Sequence, residues 1–263
     1  MTAAVRSELR KFFTTRLWWG MAIAVFLSAA VFALAFGFLY TSSAMRQTGA
    51  PAGTPTQVAN SVYTAGLGVG YLLLLTIGIM QIGSEYRHKT ISGTFLATPK
   101  RSEAMLAKVV ALLVIGAGYG LLSLVGAMGI GSIVLAARGH SAFPSSEVFR
   151  TAALSLLVLG LWALIGLGAG ILIPNQVAAL LISVGVAWIV EPLAVFGLQF
   201  WTFGREHIAP YLPSQATSAV VNSVQGSAND VRLAWWAGAL VLAAWAAALA
   251  GLGIWRTVRQ DVS

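Results

Sequence analysis

The chain has 263 residues, 58% of them hydrophobic and only 9% charged, with a net charge of +8 and no cysteine. A soluble domain carries about a quarter charged residues, so this composition fits lipid rather than water as the solvent, and the lack of cysteine excludes a disulfide framework or thiolate centre. The positive charge calls for no nucleic acid, because in a membrane protein it sets topology and meets anionic headgroups.

At the start, Val5, Leu9, Phe12 and Phe13 recur at helical spacing while Arg6, Arg10 and Lys11 take other faces. That pattern predicts an amphipathic helix over 1–16 lying in the membrane surface, with Trp18 and Trp19 following as interfacial anchors. The charge-free stretches beyond it predict six crossings, since a helix needs roughly 20 apolar residues to traverse the hydrocarbon. Their expected bounds are 17–40, 59–83, 105–136, 151–173, 177–196 and 233–255. The first apolar run exceeds the core of a secretion signal and further spans follow it, so it is expected to be a retained helix.

Between these spans, Thr41 to Asn60 is rich in Gly, Pro, Ser and Thr and is expected to be an exposed connection, whereas Pro174-Asn175-Gln176 predicts a tight turn. Triplets of glycine at 66, 68 and 70, at 116, 118 and 120, and at 166, 168 and 170 predict close helix approach. The stretch from Glu191 to Arg232 is too apolar for free solvent yet broken by Pro210 and Pro213. Short re-entrant helices over 197–232 satisfy both facts, with Phe196, Phe200, Trp201, Tyr211 and Pro213 as the candidate outer gate. Glu191 falls near a membrane boundary, either paired with Arg150 or Arg205 or kept for a function.

With both ends on one side, the segments on that side hold eleven basic residues and the opposite loops five, Arg46, Arg138, Arg150, Arg205 and Arg232. The positive-inside rule therefore places both termini in the cytoplasm.

Catalytic chemistry finds little to work with. A phosphate-binding loop needs Gly followed by Lys, a dipeptide the chain lacks, and His88, His140 and His207 lie far apart without a zinc-type spacing. No catalytic, cofactor or metal site is expected, so an intramembrane enzyme is the weaker reading; a stand-alone channel, immunity or sensor protein is the other rival. The excursion 84–104 differs: Ile91, Phe95 and Leu96 can form one apolar side of a short helix among Glu85, Arg87, Lys89, Lys100 and Arg101, and Thr98-Pro99 predicts the start of the third helix.

In this segment the chain resembles the type-2 ABC transporter permeases. The family shows a Glu at the inner end of span two, a Gly-Thr pair, two Leu, a Pro, a basic residue and a Lys entering span three. The matching positions are Glu85, Thr90, Phe95-Leu96, Pro99, Arg101 and Lys108, with Lys89 where the family has Gly, and Tyr211-Leu212-Pro213 looks like a further family motif. The resemblance implies an all-α fold of six spans with a surface helix, a cytoplasmic coupling helix after span two and re-entrant outer helices. It also implies a permease of the bacterial cytoplasmic membrane exporting an amphipathic drug, peptide or lipid-like substrate. Such a permease pairs with a second copy or a sister subunit and docks on separate ABC ATPase subunits, which hold the ATP and Mg. The coupling residues would be Glu85, Arg87, Lys89, Thr90, Ile91, Phe95, Leu96, Pro99 and Arg101.

Overall fold

The computed structural model describes residues 2–42, 53–90, 101–221 and 231–259, which are all-helical, with no strand among them. Helix α1 (Thr2–Thr14) is followed by α2 (Leu17–Thr41), α3 (Pro55–Thr64), α4 (Leu67–Arg87), α5 (Arg101–Ala137) and α6 (Glu147–Leu172). Then come α7 (Gln176–Gly185), a π-helical turn (Val186–Val190), α8 (Glu191–Leu198), α9 (Thr202–His207), a 3-10 turn (Ala209–Tyr211), α10 (Pro213–Val220) and α11 (Trp235–Arg259). Six helical stretches are long and apolar enough to cross a membrane: Leu17–Thr41, Pro55–Arg87, Ser102–Ala137, Glu147–Leu172, Gln176–Leu198 and Trp235–Trp255.

Local chemistry explains where these helices begin and end. Asn175 caps α7 by accepting from the N–H groups of Val177 and Ala178 at 3.0 and 3.1 Å, so the expected tight turn is also a helix start. Thr54 and Gln57 form a reciprocal capping box, Gln57 N–H to Thr54 Oγ1 at 3.2 Å and Thr54 N–H to Gln57 Oε1 at 2.9 Å, with Pro55 at the first helical position. The end of the expected exposed connection is therefore helical: Pro55 to Asn60 open α3, and Ala59 and Asn60 are buried. The Pro and Thr that suggested a loop are its start signal.

The core lies along α4 and α6, which share the most extensive contact in the bundle. Leu74, Leu75, Ile77, Ile79 and Ile82 face Leu159, Trp162 and Leu167 there, all buried. The two backbones touch at Gly78 and Gly166, where a Cβ would fall on the carbonyls of Ala163 and Leu75 respectively. Without a hydrophobic drive between helices in lipid, such backbone proximity is what packs them. Gly166 belongs to an expected packing triplet; Gly68 and Gly118, from the others, have open space beside them and make no such contact.

The first and fifth spans lie at the periphery and expose most of their apolar surface. At one end of the bundle, α1 packs on the start of α5 while Gly253 of α11 rests against Ile171 near the end of α6, so both termini share that end. We call it the terminal end and the other the distal end.

Candidate functional site

The terminal end is built around four charges that the fold draws together from three elements. Lys108, one turn past the expected start of the third span, is fully buried. Its Nζ donates to Glu8 Oε2 at 2.7 Å and to Glu85 Oε1 at 2.8 Å. Lys11 Nζ donates to Glu8 Oε1 and Glu85 Oε1, both at 2.7 Å. Gln81, a turn before Glu85 on α4, adds a bond from Nε2 to Glu8 Oε2 at 3.2 Å. Two carboxylates and two ammonium groups thus cancel, which is what permits charges at this depth.

Electrostatics on α1 follow from this geometry. Burial pushes the Glu8 carboxyl up, but Lys108 and Lys11 outweigh it and hold the group below its ordinary value of 4.5. Burial likewise pulls the Lys11 ammonium down, and hydrogen bonds to Glu8 and Glu85 overcome that and hold it above 10.5. Hydrophobic contacts complete the dock: Phe12 is buried edge-on against Tyr119 of α5, whose hydroxyl donates to the Trp18 carbonyl at 2.6 Å. Sequence reasoning placed Lys11 on the polar side and overlooked Glu8; in the structure Glu8 is buried and Lys11 turns inward to join it.

The expected coupling residues divide around this cluster. Glu85 belongs to it, whereas Arg87, Lys89 and Thr90 are exposed at the end of α4. There Thr90 N–H donates to the Glu85 carbonyl at 3.0 Å and Lys89 N–H to that of Tyr86 at 3.3 Å, a Schellman ending. It requires a left-handed residue, and Lys89 supplies it with φ of 54°. The corresponding ending of α5 has Gly139 in that place, with φ of 76°. Ile91, Phe95, Leu96 and Pro99, together with the Thr98-Pro99 helix start, lie outside the described residues; Arg101 opens α5.

At the distal end, the expected gate residues are spread out: Phe196 lies on α8 within the fifth span, Phe200 and Trp201 in the turn that follows it, Tyr211 in the 3-10 turn and Pro213 at the start of α10. Phe196, Phe200, Trp201 and Tyr211 are exposed, Phe196 and Phe200 meeting edge to face with centroids 5.2 Å apart. Tyr211 is held through its carbonyl, which accepts from Trp245 Nε1 at 3.0 Å, and Pro213 opens α10. Inward of them α10 packs on α6 and α11, and Trp162 Nε1 donates to Thr217 Oγ1 at 2.9 Å while its ring stacks on Tyr71 at 4.2 Å.

Glu191 is the sharpest departure from expectation. It pairs with neither Arg150, which meets Glu147 at 3.3 Å, nor Arg205, which meets Glu206 at 3.5 Å. Instead the π-helical turn ends at Glu191, and its buried carboxylate accepts the Ser214 N–H at 2.6 Å, capping α10 from another helix. An arginine partner was plausible only by proximity in the loops; the orphan N–H groups of a helix start are closer and need no second buried charge.

His207 stacks on Phe203, and among the described residues no group of three or more His, Cys, Asp or Glu could hold a metal ion. No protein-family model matches the chain, and no curated protein sequence matches it.

Proposed function

We propose that the chain is the membrane-spanning permease subunit of an ATP-driven exporter of the ABC type, working as a pair with a second copy or sister subunit. In this reading both termini are cytoplasmic, the segment 84–104 carries a coupling helix docked on a separate ATPase that holds ATP and Mg, and the short helices after span five form an outer re-entrant gate. The observation that carries the proposal is the buried Glu8–Lys11–Glu85–Lys108 cluster. The docking segment runs between Glu85 and Lys108, so its two flanking spans and the surface helix are clamped where a partner would push. A displacement of the segment is then shared by α1, α4 and α5 instead of being absorbed in a loop.

The test is purification of the tagged chain from its native membranes, followed by reconstitution with whatever ATPase accompanies it. An ATPase with a phosphate-binding loop should copurify in fixed ratio. Phe95→Ala should weaken its association, since losing a central interface anchor commonly costs about 2 kcal/mol or more. Glu85→Gln should leave the complex assembled while lowering transport per ATP hydrolysed. Hydrolysis by the isolated chain, or full export without any ATPase, refutes the proposal.

A further inference from the structure

Span five does not follow its neighbours along its whole length. Helix α7 packs on α4 and α6 near the terminal end, but beyond the π-helical turn the main contacts of α8 are with that turn and α9, beside the Glu191–Ser214 bond to α10. The space left between this span and α4, α6 and α11 is a cavity of about 310 Å³. Its walls are almost wholly apolar, including Leu75, Ile165, Leu249 and Leu212, with the rings of Trp162 and Trp245. Val186 and Val190 of the π-helical turn line it and are about half exposed.

One charged group faces this interior, Glu191. The residue is 7% exposed, and among the described residues no cation lies within ion-pair distance of it. Both indole donors are already committed, Trp162 to Thr217 and Trp245 to the Tyr211 carbonyl, so besides the Ser183 hydroxyl the lining offers a carboxylate and two aromatic rings, and it contains no cationic residue. From these facts we infer that the cavity binds a lipophilic monocation, an apolar molecule carrying one amine or quaternary ammonium head beside Glu191. A buried carboxylate without a counter-ion is costly, and a ligand cation recovers that cost. The indole rings favour the same charge. An anion meets repulsion, and a metal ion would need several more oxygen ligands than one carboxylate supplies. Binding stands on this geometry alone; that the ligand is cargo rests on the export reading.

The measurement is saturable binding to the full chain in phosphatidylcholine nanodiscs, corrected with empty discs, for three probes of equal chain length: decyltrimethylammonium, decanol and decanoate. The cation should bind about tenfold or more tighter than decanol, through ion pairing with Glu191 and attraction to the indole faces, and decanoate weakest. Glu191→Gln keeps an oxygen for the Ser214 N–H, so it should retain decanol binding while the advantage of the cation disappears. Ala187→Leu, which fills the cavity without touching the charge, should weaken both. Equal affinity for cation and alcohol in the wild type overturns the inference without recourse to any variant. So does a cation preference that survives Glu191→Gln, or the absence of saturable binding by any probe, as when lipid or a second copy fills the space. Charge-selective binding in a chain that recruits no ATPase would leave this site standing and remove the export reading; an active exporter without it would do the reverse.

Discussion

Replacing Lys108 by Met isolates what the ion cluster contributes, because the two side chains have similar length and packing is nearly retained. The ammonium is wholly buried and bonds two carboxylates at 2.7 and 2.8 Å. Without it, of the two ammonium groups that join Glu8 to Glu85 Lys11 remains, and its side chain is 43% exposed. Removing one partner from a buried ion pair costs about 3–5 kcal/mol, since the charge left behind keeps its desolvation penalty. Lys11→Met should cost about 1 kcal/mol, because solvent screens that group. Adding Glu85→Gln to Lys108→Met restores neutrality, so the double variant should be more stable than the sum of the single changes by about 2 kcal/mol. Unfolding of the solubilised chain by titrated SDS gives these differences, and hydrogen exchange over 2–14 shows whether the loss begins as detachment of α1. Equal costs for the two lysines, or strict additivity in the double variant, would refute the idea that the four charges act as a coupled unit.

Three further outcomes can be checked. Docking of α1 should be flat between about pH 4.5 and 10.5: Glu8, held below 4.5, gives stability that is present above its unfolded value and lost as pH falls through the lower folded one, while Lys11, held above 10.5, gives stability lost as pH rises through its folded value. Hydrogen exchange of α1 that changes near neutrality would contradict this. Lys89→Gly should raise stability by about 0.5–1 kcal/mol in a melting experiment, because the left-handed conformation at φ of 54° costs a side chain more than glycine's added freedom costs the folded chain; a lowered melting temperature would count against it. Single cysteines at Ser7 and Ser141 are unique labels in a chain with no native cysteine, and an impermeant thiol reagent applied to intact cells should reach Ser141→Cys and not Ser7→Cys, the opposite pattern inverting the orientation.

The crossings were legible because their signal is long and redundant: the expected 17–40 and 105–136 lie within Leu17–Thr41 and Ser102–Ala137, differing by a few residues at the ends. What escaped was tertiary. Glu8 sits among Arg6, Arg10 and Lys11 in a pattern that a surface helix satisfies by local pairing; only the folded chain brings it beside Lys108, 100 positions away. A hint was available, since a lysine inside a predicted span demands an acid, and Glu8 and Glu85 were the acids within reach. Gly78 lacks the spaced neighbours that marked the triplets, yet its backbone contact is as close as that of Gly166. Glu191 was singled out correctly as unusual, but its partner is a backbone N–H, a group that every residue but proline carries and that composition cannot rank.

The π-helical turn at Val186–Val190 has a consequence for how this span tolerates change. The N–H of Glu191 reaches the carbonyl of Val186, five positions back instead of four, so the turn stores one residue more than an α-helix of the same height. Deleting a single residue there would let the helix relax to ordinary pitch and leave everything beyond it in place, since the five residues of the turn cover about the height and rotation of four α-helical ones. A second deletion finds no such slack and would carry Glu191 around the axis by about 100°, out of reach of Ser214, although no side chain at either position had been altered. In this span the count of residues, not only their identity, fixes which way the acid points, and the turn absorbs the loss of one codon but not of two.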